Sequence, residues 1–160
     1  METSQVYTRE KHLKRSNSQL STISIGVGLA TSFALVIYFV LIRTFALESI
    51  FYLRLVNAVI LLAGLLIGER LCSSRIAHKI DYLKGIRIGT QITLAATIPY
   101  SIFIWTYLKM DSELLAFIQN TNFGRYLNPL PACAAGIVAI EGFVSGLVLT
   151  YVIMPYFKRK

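Results

Sequence analysis

Charge is what this sequence has least of. Only 15% of its 160 residues are charged, against about 25% in an ordinary soluble domain, and residues 16–42 and 88–108 contain no Asp, Glu, Lys or Arg. That shortage excludes a conventional soluble enzyme, and the length excludes a large transporter. Histidine is limited to His12 and His78, both in basic segments outside the apolar runs, so no histidine is placed to ligate a haem inside a bilayer. The cysteines, Cys72 and Cys133, fall on opposite sides of the membrane in the topology derived below, which excludes a disulfide between them. CxxC, Walker A, GxSxG and HExxH patterns, glycine-rich phosphate loops and metal-ligand clusters are all missing. The expectation is a non-catalytic chain without a cofactor or metal.

Apolar residues are what the sequence has in abundance, at 55%. A hydrocarbon core about 30 Å thick takes about 20 helical residues at a rise of about 1.5 Å each. That ruler fits four times, over residues 20–42, 50–68, 85–108 and 130–154. The segments are apolar on every face, whereas barrel strands would be about 10 residues long and alternate apolar with polar. An all-α membrane protein with four transmembrane helices is therefore expected. Residues 1–19 form a basic N-terminal tail, 20–157 the transmembrane domain and 158–160 a basic C-terminal tail. The first apolar run is too long for a signal-peptide h-region and leads into Tyr38, Phe39 and Arg43, which reads as a retained anchor.

Orientation follows from Lys and Arg, which remain on the cytoplasmic side of short loops. Twelve of the sixteen lie in the N-terminal tail, around the connection between the second and third spans, and in the C-terminal tail. Arg43, Arg54, Lys109 and Arg125 fall on the other side. Both termini are thus expected in the cytoplasm. The excess of positive charge, +8 in net terms, is then a face for anionic lipid headgroups, each juxtamembrane cation contributing about 1 kcal/mol. A nucleic-acid partner is not required. Ile76, Ile80 and Leu83 recur at helical spacing in the cytoplasmic connection, as in an interfacial amphipathic helix or a basic linker drawn into the following span.

Within the spans one charge stands alone, Glu141, about 16 Å along the fourth helix from Leu130 and so near the midplane. An ionised carboxylate there costs at least about 2.5 to 3.5 kcal/mol on insertion scales. It must be protonated, paired or turned toward water. Arg54 and Asn57 on the second span are the nearest candidates for company, sharing a stripe with Leu61, Gly64 and Gly68. Glu141, Arg54 and Asn57 make a candidate intramembrane polar site. Its readings are a proton- or ion-linked site, a carboxyl that fixes helix packing or meets a partner subunit, or a lipid or quinone site.

Small residues mark where backbones approach in lipid. Gly142 and Gly146 follow Glu141 directly, with Ala135 and Ala139 extending their ridge; Gly85 and Gly89 do the same on the third span, and Gly26, Ala30 and Ala34 on the first. Each ridge fits internal packing of the bundle, or contact with another subunit, for which the fourth span is the best candidate. Pro99 removes one backbone hydrogen bond inside the third span and should kink it, with Thr93, Thr97 and Ser101 spaced to cover freed carbonyls. Tyr38, Trp105, Tyr107, Tyr126, Tyr151 and Tyr156 fall near span ends, as interfacial belts do. Between the third and fourth spans, Leu114, Leu115, Phe117 and Ile118 suggest a short surface helix, followed by turn formers and a Pro129/Pro131 entry to the fourth span.

A Gly-containing first span, a short outer turn, a basic inner loop and the Lys84-Gly85-x-x-x-Gly89 entry to the third helix, with acidic Asp111 and Glu113 in the outer turn, resemble an uncharacterised family of small four-helix integral membrane proteins of Bacteroidota. The resemblance runs from about Ser24 onward. It implies a bacterial inner membrane and carries no activity, and Glu141 has no counterpart in its pattern. The expected function is that of a small non-catalytic accessory or structural subunit, packing in a membrane complex or a homo-oligomer. The alternative is an oligomeric channel or proton-coupled carrier in which Glu141 titrates.

Overall fold

The computed structural model describes residues 2–45, 53–75, 82–111 and 131–158. They form four helices, α1 (Glu2–Thr44), α2 (Leu53–Arg75), α3 (Tyr82–Met110) and α4 (Pro131–Lys158). Each is long and apolar enough to cross a membrane. The amphipathic pattern at Ile76, Ile80 and Leu83 lies mostly, and the outer connection entirely, outside the described residues.

Two helices run well past the expected spans. Residues 2–19, read from the sequence as a basic tail, are the first turns of α1. Nothing before Gly26 interrupts them, since the stretch contains neither Gly nor Pro. Likewise α2 does not stop at Gly68 but continues to Arg75. A glycine within a helix costs only about 1 kcal/mol, which packing readily offsets, and Gly68 is buried against Ile92 and Val27.

Pairwise contacts define an up-down-up-down arrangement. Leu20, Ile23 and Val27 of α1 pack with Cys72, Ile88 and Ile153, placing the start of the apolar part of α1, the end of α2, the start of α3 and the end of α4 at one level. At the opposite end Leu35 and Phe39 meet Ile104, Tyr107, Leu108 and Ala135. The core is accordingly two apolar clusters, one toward each end. Helix α3 is central, packed most extensively against α1 and α4, while α2 closes the bundle against the other three.

Small side chains set the spacing. Along the antiparallel α3/α4 seam, Gly89 sits against Thr150, Thr93 against Gly146 and Thr97 against Gly142. Each step is one helical turn on both helices and pairs a glycine with a threonine, with glycine on α3 at the first step and on α4 at the other two, so a methyl and hydroxyl from one helix fill the space left by the other. Gly64 receives Thr31 of α1 in the same way. Gly28 lets α1 approach the backbone of α3 at Ile92 and Ala95. Pro99 leaves the Ala95 carbonyl without its helical donor, yet α3 continues through it as one helix.

At the end away from the termini, Arg43 donates from Nε and Nη2 to Asp111 Oδ2, at 3.1 and 2.8 Å. This ties the last turn of α1 to the end of α3. Below it, Phe39 meets Phe103 and Tyr107 edge-on, with ring centroids 5.9 and 5.2 Å apart. Lys109 Nζ lies 3.9 Å from the centroid of the Trp105 ring, a cation held at the border expected of an interfacial aromatic.

Candidate functional site

The residues singled out by the sequence separate into inward and outward sets. Gly85, Gly89 and Gly146 are buried and Gly142 half-buried, and the last three are filled by threonines of this same chain. The ridge of α4 is therefore spent inside the bundle, against α3. The ridge on α1 faces the other way, since Gly26, Ala30 and Ala34 are all exposed, with no side chain near Gly26.

Glu141 is exposed. It lies about 15 Å along α4 from Pro131, near the middle of a 25-residue span. Ile137, Ile140, Val144 and Val148 are also exposed on α4, making an apolar strip into which the carboxyl is set. Of the interior site anticipated for Glu141, Arg54 and Asn57, the described residues hold two side chains, and they are not brought together. Asn57 is half-buried and its Oδ1 has no partner. Arg54 belongs to the first turn of α2, and its side chain lies outside the described residues. No hydrogen bond or ion pair joins Glu141 to Asn57 among the described residues.

Glu141 is also not alone, which corrects the sequence inventory. Glu69, assigned from the sequence to the basic connection, sits inside α2 and is only 2% exposed. Neither of its carboxyl oxygens has a hydrogen-bond partner among the described residues. Ending the second span at Gly68 placed Glu69 one residue too far out. The signal was present: Leu61, Leu65 and Glu69 recur every four residues, with Cys72 three further on, so continuing the helix by one turn puts Glu69 on the buried face. Around that level lie Ser24, Cys72, Thr93 and Thr150, all buried.

Thr93 is a second departure from expectation. Its spacing from Pro99 predicts a hydroxyl available to the freed carbonyls, but Thr93 Oγ1 is buried without a partner among the described residues. Ser101 Oγ does donate, to the carbonyl of Ile98 at 2.9 Å. The cysteines are at opposite ends of the bundle and both are free, Cys72 buried and Cys133 exposed.

No family model, curated protein or solved structure matches the chain. What the fold defines is the class: an integral membrane protein built from four apolar helices.

Proposed function

We propose that the protein is a non-catalytic subunit of a membrane assembly, either a homo-oligomer or a larger complex, and that the outer face of α4 is where it meets its neighbour. The observation that carries this reading is Glu141, exposed near mid-span on an apolar helix face. Lipid offers a carboxyl no hydrogen-bond partner, and an ionised one is costly at that depth. A helix from another chain supplies a donor and removes the group from lipid. The small, exposed stretch of Gly26, Ala30 and Ala34 on α1 offers a second surface on which a helix can approach closely.

The distribution of Lys and Arg supports both termini facing the cytoplasm, with anionic headgroups gathered at the basic face; that the membrane is a bacterial inner membrane is what the resemblance to small four-helix proteins of Bacteroidota implies. The outward position of Glu141 also favours a second reading, an oligomeric channel or proton-coupled carrier in which carboxyls of adjacent chains line one path. Substitution separates the two. Under the subunit reading Glu141→Gln keeps the assembly intact, because Gln still hydrogen-bonds, and Glu141→Leu disperses it. Under the carrier reading Glu141→Gln assembles normally and abolishes proton flux in liposomes. An assembly unaffected by Glu141→Leu would overturn the subunit reading.

A further inference from the structure

The most completely buried large side chains of the bundle are Leu65, Ile92, Glu69, Thr93, Thr150, Cys72 and Ser24. All belong to the end at which the apolar part of α1 begins and α4 finishes, and the contacts of Gly68 with Ile92, Gly89 with Thr150 and Ser24 with Cys72 bring them within a slab about two helical turns deep. A polar layer thus crosses an apolar core. Most of its members are accounted for: Ser24 Oγ donates to the Leu20 carbonyl at 2.8 Å and lies 3.8 Å from Cys72 Sγ, and Thr150 Oγ1 donates to the Gly146 carbonyl at 2.8 Å. The two oxygens of Glu69 and the hydroxyl of Thr93 are not.

An ionised carboxylate with both oxygens bare in such a place is strongly disfavoured, since burying an uncompensated charge costs several kcal/mol. Among the described residues, the other buried polar groups of the layer are Ser24 from α1, Cys72 from α2, Thr93 from α3 and Thr150 from α4, and none of them is a cation. Arg70, Lys84 and Arg87 at the same end are exposed, and neither oxygen of Glu69 has a hydrogen-bond partner among the described residues. We propose that Glu69 is a proton-binding site: a carboxylic acid held neutral in the core, exchanging its proton with the solution beyond the nearby end of α2. The distance is short, five residues from Ser74 at the end of the span, or about 7.5 Å along the helix. The site is independent of Glu141, which lies on the outside of α4.

Infrared spectroscopy of the full-length protein in dodecyl maltoside, a detergent without a carbonyl group, reads this directly, through the carbonyl stretch of a protonated carboxyl. The Glu141→Gln chain is used as background so that the outer carboxyl contributes nothing. At neutral pH that chain should show the band, the band should shift on transfer to D2O as the proton exchanges, and adding Glu69→Gln should remove it completely. Glu69→Asp, which keeps an acid of smaller volume, should retain a protonated-carboxyl band, and it carries the test if the Gln variant does not fold. A background chain without the band, a band that survives Glu69→Gln, or a band indifferent to D2O would each overturn the proposal. The subunit reading is unaffected by any of these results, because it rests on assembly and not on this carboxyl.

Discussion

At the scale of single residues, the bundle is held by side chains that would be unremarkable anywhere else. Thr93 fills the space above Gly146, and a Cβ at Gly146 would run into its methyl, hydroxyl and Cβ. Threonine is stiff at χ1, so the collision has no easy escape. Gly146→Ala should lower the stability of the bundle by about 1 to 3 kcal/mol, and Thr93→Ala in the same chain should restore most of it, removing the obstructing atoms together with a hydroxyl that has no partner. Thermal unfolding in detergent of the two single variants and the double variant tests this; additive losses would show that the contact is not the cause. The Arg43–Asp111 pair is half-buried, with side chains 28% and 19% exposed, so solvent screens it. A double-mutant cycle through Arg43→Gln and Asp111→Asn should return a coupling of about 1 kcal/mol or less; zero coupling would make the pair ornamental. Glu141 was legible from the sequence as an intramembrane charge because it interrupts a long apolar run. Glu69 was not, because it adjoins Arg70, and a charged pair at the end of a span looks like the beginning of a loop.

At the scale of helices, the number, type and approximate placement of the spans could be read from the sequence, since a run of apolar residues long enough to cross lipid admits few structures. The ends could not. Hydropathy reports where lipid stops, whereas a helix stops where a residue breaks it, and neither the stretch before Gly26 nor the last turns of α2 contain a proline. The direction in which each small-residue ridge faces was also hidden. A Gly-x-x-x-Gly spacing is the same whether its neighbour is inside the chain or outside it; only the threonines of α3 show that Gly142 and Gly146 point inward. The orientation of the bundle can be tested with its own cysteines. Cys133, exposed and two residues from the start of α4, stands at the end opposite the termini, while Cys72 is fully buried. A membrane-impermeant maleimide applied to intact cells should label Cys133 and leave Cys72 untouched, and Cys133→Ser should abolish the labelling. Labelling that requires broken cells would reverse the proposed topology.

At the scale of the whole molecule, the four helices satisfy themselves on one side and leave work undone on the other. Gly89, Gly142 and Gly146 are filled by threonines of the same bundle, yet the outer faces of α4 and α1 present Glu141 and the Gly26, Ala30 and Ala34 stretch to the surroundings. A self-sufficient monomer in lipid has no use for an exposed carboxyl at mid-span, and an assembling subunit does. The most direct test is the native mass of the chain extracted gently from its own membrane, with any co-purifying proteins identified. Assembly through Glu141 requires a mass well above the 17.9 kDa of one chain, either a multiple of it or a defined complex with stoichiometric partners, and its collapse toward the single-chain mass in Glu141→Leu. A wild-type protein that leaves the membrane alone, at the mass of one chain, would contradict it.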